Sequence, residues 1–159
     1  MSTEPTSAVP ETVQEVINLN HLLALNLDSQ GGYETAADAL KHEEYVDLFR
    51  QYAQQRQQNA TELSNLIRTS DHTPDDTGSI PGLFQQGWIN LESILSQGDA
   101  PVFAAVERAD ATILAAYQDV MGQTTREALM AVLREQFTEI RNAYERVKAL
   151  RGALEQTHG

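Results

Sequence analysis

The chain has 159 residues, enough for one domain whose core needs no staples. Its formal charge of -12 repels phosphate backbones and anionic lipid, so neither nucleic acid nor a membrane is an expected partner. It has no cysteine, which removes thiol catalysis, disulfides, Cys-zinc sites and iron–sulfur ligation.

Ala, Leu, Gln, Glu and Arg dominate, and strand-type runs are missing, so the expected class is all-α. Residues 1–10 are polar, contain Pro5 and Pro10, and read as a frayed tail. They show neither a basic nor an apolar leader region, which makes the cytoplasm the expected compartment. A first helix is expected from Glu11 to Leu40, with Val13, Val16, Ile17, Leu19, Leu23 and Leu27 at helical spacing. Its apolar run from Leu22 to Leu27 is interrupted by Asn26 and is too short to span a bilayer. Gly31 and Gly32 predict a kink, a break or a close backbone approach within it.

A second helix is expected from His42 to Thr69, with Tyr45, Leu48, Phe49, Tyr52, Leu63, Leu66 and Ile67 as its buried stripe. The short link makes the two an antiparallel hairpin. Ser70 to Gly82 reads as a loop, with two prolines and two glycines. At roughly 3.3 Å per residue it could reach about 40 Å, the length of one of these helices, and so act as a crossover.

The third helix is expected to be broken near Gly98. Its first part, Leu83 to Gln97, carries Phe84, Trp88, Leu91 and Leu95 on one face. Asp99 then reads as an N-cap, with Pro101 in the first turn and Val102, Val106, Ile113, Tyr117 and Val120 on one face as far as Met121. The fourth helix opens on a capping-box pattern, Thr124-x-x-Glu127, and runs to about Leu154 with Leu133, Phe137, Ile140, Tyr144 and Val147 inward. The expected organisation is thus a single bundle over residues 11–155 and a disordered tail over 156–159.

Two helical hairpins joined by a long connection follow the ferritin-like antiparallel four-helix plan. The ordered set Leu19-Asn20-x-Leu22, Gly32-Tyr33-x-x-Ala36-Ala37, Gln54-Gln55-Arg56, Glu62-Leu63, Trp88, Glu107-Arg108, Ala116-Tyr117-x-Asp119 and Arg146-Val147-x-Ala149-Leu150-Arg151 resembles one bacterial family. That family is domain-of-unknown-function family 2383, small ferritin-like four-helix bundles. The resemblance covers residues 11 to 151 and implies that fold without implying an activity. The family pattern includes an acidic residue near the position of Gly31 and a His near that of Tyr144, and this chain departs from it at both.

A di-iron bundle needs a Glu from each of two helices and Glu-x-x-His from each of the other two, because i and i+3 share a helix face. The one Glu-x-x-His here is Glu155 to His158, at the very end. His21 reads as a partly exposed helix residue, His42 as a helix-end group near Glu34 and Asp38, and His72 as a loop residue. Counting back from a turn near Thr124 sets Glu107 opposite Glu139 and Asp110 opposite Gln136. Asp110 shares the stripe of Val106, Ile113 and Tyr117, and a buried carboxylate is costly unless paired or metal-bound. It reads as a rim residue bonded to Arg or solvent, against the alternative of a central carboxylate cluster. Gln55, Arg56, Asn59 and Glu62 interrupt the second helix's stripe. An Arg there can neutralise carboxylates without metal, which suggests an Arg-centred polar network in the bundle middle. Tyr45, Tyr52, Tyr117 and Tyr144 read as core residues with satisfied hydroxyls.

The sequence holds no Gly-rich phosphate loop, no Gly-x-Ser-x-Gly and no His-Glu-x-x-His. The expected function is therefore a non-catalytic structural or interaction bundle without cofactor, with self-association through helix faces as an open partner class. The alternative is a carboxylate-rich iron or manganese binder or oxidase, using Glu34, Glu62, Glu107, Asp110 and Glu139.

Overall fold

The computed structural model describes residues 7–74 and 97–158. These form four helices, and no strand occurs among the described residues. Helix α1 spans Val13–Ala39, α2 Glu43–Thr69, α3 Asp99–Gln123 and α4 Glu127–His158.

Local chemistry sets the helix ends. Thr12 caps α1, its Oγ1 accepting the Glu15 amide at 3.0 Å. Glu43 and Glu44 lie in the first turn of α2 and Arg68 in its last, each complementing the helix dipole. Gly98 precedes α3 with φ of 112°, a conformation that side chains other than hydrogen rarely adopt. Asp99 is therefore the first residue of α3 and not its cap. Its carboxylate accepts the Lys41 amide and meets His42 Nδ1 at 2.9 Å, tying the α1–α2 turn to the start of α3.

Further expectations are corrected. Helix α1 runs unbroken through Gly31 and Gly32; a Cβ at the exposed Gly31 would meet nothing within 4 Å, whereas Gly32 is buried. The i to i−4 bonds of a long helix with one buried side outweigh the propensity cost of two glycines. Val13 and Ile17 are exposed: Val13 is the first residue of α1, and Ile17 lies about 100° or more round the helix from the buried Val16, Leu19 and Leu23. The Thr124 capping box does not form: Thr124 ends α3, and its Oγ1 donates back to Val120 O at 2.7 Å. Helix α4 continues past Leu154 to His158. At the other end, residues from Ser7 on are held by Arg126, which donates to Ser7 O and Val9 O at 2.6 and 2.8 Å.

Among the described residues the core consists of two apolar clusters with a polar belt between them. One gathers Leu19, Leu22, Leu63, Ile67, Ile113, Leu133 and Ile140 with their neighbours. The other gathers Tyr33, Ala36, Phe49, Ala53, Val106 and Val147 with theirs. Helices α1 and α4 pass from the first cluster to the second, and α2 and α3 from the second to the first. Asp99 lies beside Lys41, so α3 begins at the end of the molecule where α2 begins, while Thr69 ends α2 at the other. The expected loop from residue 75 onward and the expected helix Leu83 to Gln97, all but its last residue, with Phe84, Trp88, Leu91 and Leu95, lie outside the described residues. No described helix is long and apolar enough to cross a membrane.

Candidate functional site

The belt is built where each apolar stripe is interrupted by residues with hydrogen-bonding side chains. Helix α1 supplies Asn26 and Ser29, α2 Arg56 and Asn59, α3 Asp110 and α4 Gln136; all six are buried. On α1 and α2 the spacing is three residues, which puts both members on one face.

Arg56 is 0% exposed and anchors the first layer. Its Nη1 donates to Asp110 Oδ1 and to Ser29 Oγ, each at 2.9 Å, and its Nε to Gln55 Oε1 at 3.1 Å. Tyr33 Oη donates to the other Asp110 oxygen, and the guanidinium lies over the Tyr33 ring at 5.1 Å from its centroid. Burial pushes the Asp110 carboxyl up, against the Arg56 charge and the two hydrogen bonds. Burial likewise opposes the charge on Arg56, but Asp110 outweighs it and holds the guanidinium protonated. Tyr33 is raised well above the usual phenol range, first by burial and then by Asp110, so it stays a donor.

The second layer is a relay through all four helices. Asn59 Nδ2 donates to Asn26 Oδ1 at 3.3 Å, and Asn26 Nδ2 to Tyr117 Oη at 2.9 Å. Tyr117 donates to Gln136 Oε1 at 2.6 Å, and Gln136 Nε2 returns to α2 through Glu62 Oε1 at 2.8 Å and Asn59 O at 3.5 Å. The Tyr117 hydroxyl is raised by burial, so it both accepts and donates. Each buried amide thereby finds partners that water would otherwise supply.

The structure disperses most of the candidate carboxylates. Glu34 is exposed beside Gln30. Glu107 pairs with Arg151 and not with Glu139, and Gln136 meets Tyr117 in place of Asp110. The α3–α4 link is centred on Thr125, one to two residues beyond the assumed turn, which moves every facing pair along α4. Asp110 is no rim residue: it is 0% exposed, although its partner is indeed an Arg. Glu62 and Glu139 are exposed near one another, and burial together with Glu135 and Glu62 raises Glu139. Among the described residues no three His, Asp or Glu side chains gather as a metal-holding group. His21 is partly buried, which lowers its pKa against the pull of Asp119. His42 stands beyond the end of α1, paired with Asp99, and so shares no continuous helical face with Glu34 and Asp38.

Gln55, Arg56 and Asn59 were legible as the stripe's interruption, and the structure brings all three into the belt. Asn26, Ser29 and Tyr33 were missed as site residues. The signal for the first was available, since Asn26 breaks the run Leu22 to Leu27 and Ser29 follows it by one turn.

The sequence profile of a domain of unknown function, DUF2383, matches residues 14–123. The chain belongs to the DUF2383 family. That match takes in the whole Arg56 layer, with Tyr33 and Asp110, and three of the four helices of the relay. The DUF2383 match ends with α3, so Gln136 and the Arg151 partner of Glu107 lie beyond it. No curated protein matches the chain.

Proposed function

We propose that this DUF2383 chain is a non-catalytic ferritin-like bundle, a structural or interaction protein in which a guanidinium occupies the central position that metals hold in di-iron bundles. The observation that carries this reading is the Arg56–Asp110 pair, fully buried between α1, α2 and α3. A fixed positive charge there disfavours a second cation, and both Asp110 oxygens are already committed to donors. The opposed running directions of α1 with α4 and α2 with α3 support the ferritin-like plan. The reading calls for no cofactor and places the protein in the cytoplasm, acting through its outer helix faces on a second copy or another protein.

Elemental analysis of the purified chain, Fe(II) oxidation under oxygen, and light scattering with affinity capture test this together. The expected result is no stoichiometric metal, no acceleration of iron oxidation, and a self-associated species or a captured protein. Iron or manganese retained in whole-number ratio, and lost in Glu62→Gln or Glu139→Gln, would replace this reading with the carboxylate-binder alternative. A strictly monomeric chain that captures nothing would count against an interaction role.

A further inference from the structure

In a chain with 23 acidic and 11 Lys or Arg side chains, three exposed cations share one line of α4. Arg134, Arg141 and Lys148 recur at every seventh position, so they fall within about 40° of one another round the helix and about 10 Å apart along it. Partly buried aromatic rings stand between them on the same side. The Arg141 guanidinium carbon lies 5.9 Å from the centre of the Phe137 ring, and Lys148 Nζ 5.8 Å from that of Tyr144. A cation already held against a ring has less side-chain freedom to lose on docking. Glu145 is one turn from both Arg141 and Lys148, yet none of the three cations makes an ion pair among the described residues.

The opposite charge is left over at the start of α2. Glu43, Glu44 and Asp47 are exposed, and none of them makes an ion pair among the described residues. The nearest arginine along that helix, Arg50, pairs with Asp38 of α1 instead. We propose that the Arg134–Arg141–Lys148 line of one copy docks on the Glu43–Glu44–Asp47 surface of the next, so that the chain self-associates head to tail. This rests on the interaction reading above and names its partner and both surfaces. Charge selects the arrangement: a cation line repels its own kind, while the net charge of -12 gives every second copy the complementary sign. Because the two surfaces differ and belong to different helices, the contact is heterologous and grows into a ring or an open filament.

Sedimentation velocity of the full chain at about 50 mM and about 500 mM sodium chloride reads the assembly. The expected result is a species larger than a dimer at low salt and a monomer at high salt. Arg141→Glu with Lys148→Glu reverses one surface, and Glu44→Lys with Asp47→Lys the other. Each variant alone should associate at least about tenfold more weakly than the parent chain. All four positions are exposed, and circular dichroism checks that the helices are kept. An equimolar mixture of the two variants should associate again, because opposite charges then face each other at every contact. Association unchanged in either variant, a mixture that stays monomeric, or a dimer indifferent to salt would overturn the proposal. So would a parent chain that is monomeric at both salts; if that chain still captured another protein, the interaction reading would stand without these surfaces.

Discussion

Arg56 Nη1 stands 2.9 Å from Asp110 Oδ1, and neither side chain touches solvent. The two residues come from different hairpins, so the pair fixes α2 against α3 while Ser29 and Tyr33 bring α1 to the same point. Charge burial of this kind is costly for both members, and the mutual attraction with the added hydrogen bonds offsets that cost. It follows that each member matters more when its partner remains.

Replacing Asp110 with Leu leaves a guanidinium charged, buried and unpaired. The expected loss is about 3–5 kcal/mol of unfolding free energy, read from urea denaturation. The double variant Arg56→Met with Asp110→Leu should lose less than Asp110→Leu alone, since no charge is stranded. Equal or greater loss in the double variant would mean that the pair itself supplies net stability.

Tyr117→Phe removes the hydroxyl that links Asn26 to Gln136 and leaves two buried amides short of a partner. The expected cost is about 1–3 kcal/mol, with little change in helical circular dichroism. Faster amide exchange in the middle of both α1 and α4 would show that the relay couples them.

Gly31 is exposed within α1, has room for a methyl group, and is helical, so Gly31→Ala should raise stability by about 0.5–1 kcal/mol. Gly98 contrasts with it. Its φ of 112° makes Gly98→Ala destabilising despite open space around the site. Thermal unfolding of the two variants should move in opposite directions.

Arg126 binds Glu15 at 3.0 Å and holds the segment from Ser7 to Val9. Burial raises the Glu15 carboxyl, but its hydrogen bond with Arg126 and those around the α1 start outweigh this and leave it below its ordinary value of 4.5. A carboxylate lowered in the folded state adds stability that is present above 4.5 and lost as pH falls through the folded value. Asp110 is raised, so its own contribution runs the other way as it takes up a proton. Arg126→Gln should therefore flatten the acid loss below 4.5 relative to the parent chain, as read from urea midpoints across that range.

Much of the fold was legible because long amphipathic stripes leave a strong period. The bounds of α1 and α2 fall within two residues of those read from Val13, Leu19, Phe49 and Ile67. The Arg-centred middle was legible too, since Gln55, Arg56 and Asn59 break an apolar stripe that otherwise has no reason to change. What failed depended on small local energies or on exact register. Thr124 had a capping partner in sequence, yet its hydroxyl bonds Val120 O in the turn behind it. Counting from the turn sets Glu107 opposite Glu139; the actual link moves that facing position only to about residue 143, and the long side chain of Arg151, further along α4, is the one that reaches Glu107. Asp110 was expected at the rim because the cost of burial was visible in the sequence, whereas Tyr33, from α1 and far away in sequence, was not visible as its second partner.

Thermal unfolding of the full chain in excess Fe(II) or Mn(II) tests most directly whether the bundle centre is held by Arg56 in place of a metal. Any ligand that binds only the native state must raise the melting temperature as its concentration rises. The Arg56–Asp110 arrangement predicts no saturable rise with either ion. A saturable rise that disappears in Asp110→Asn would contradict it.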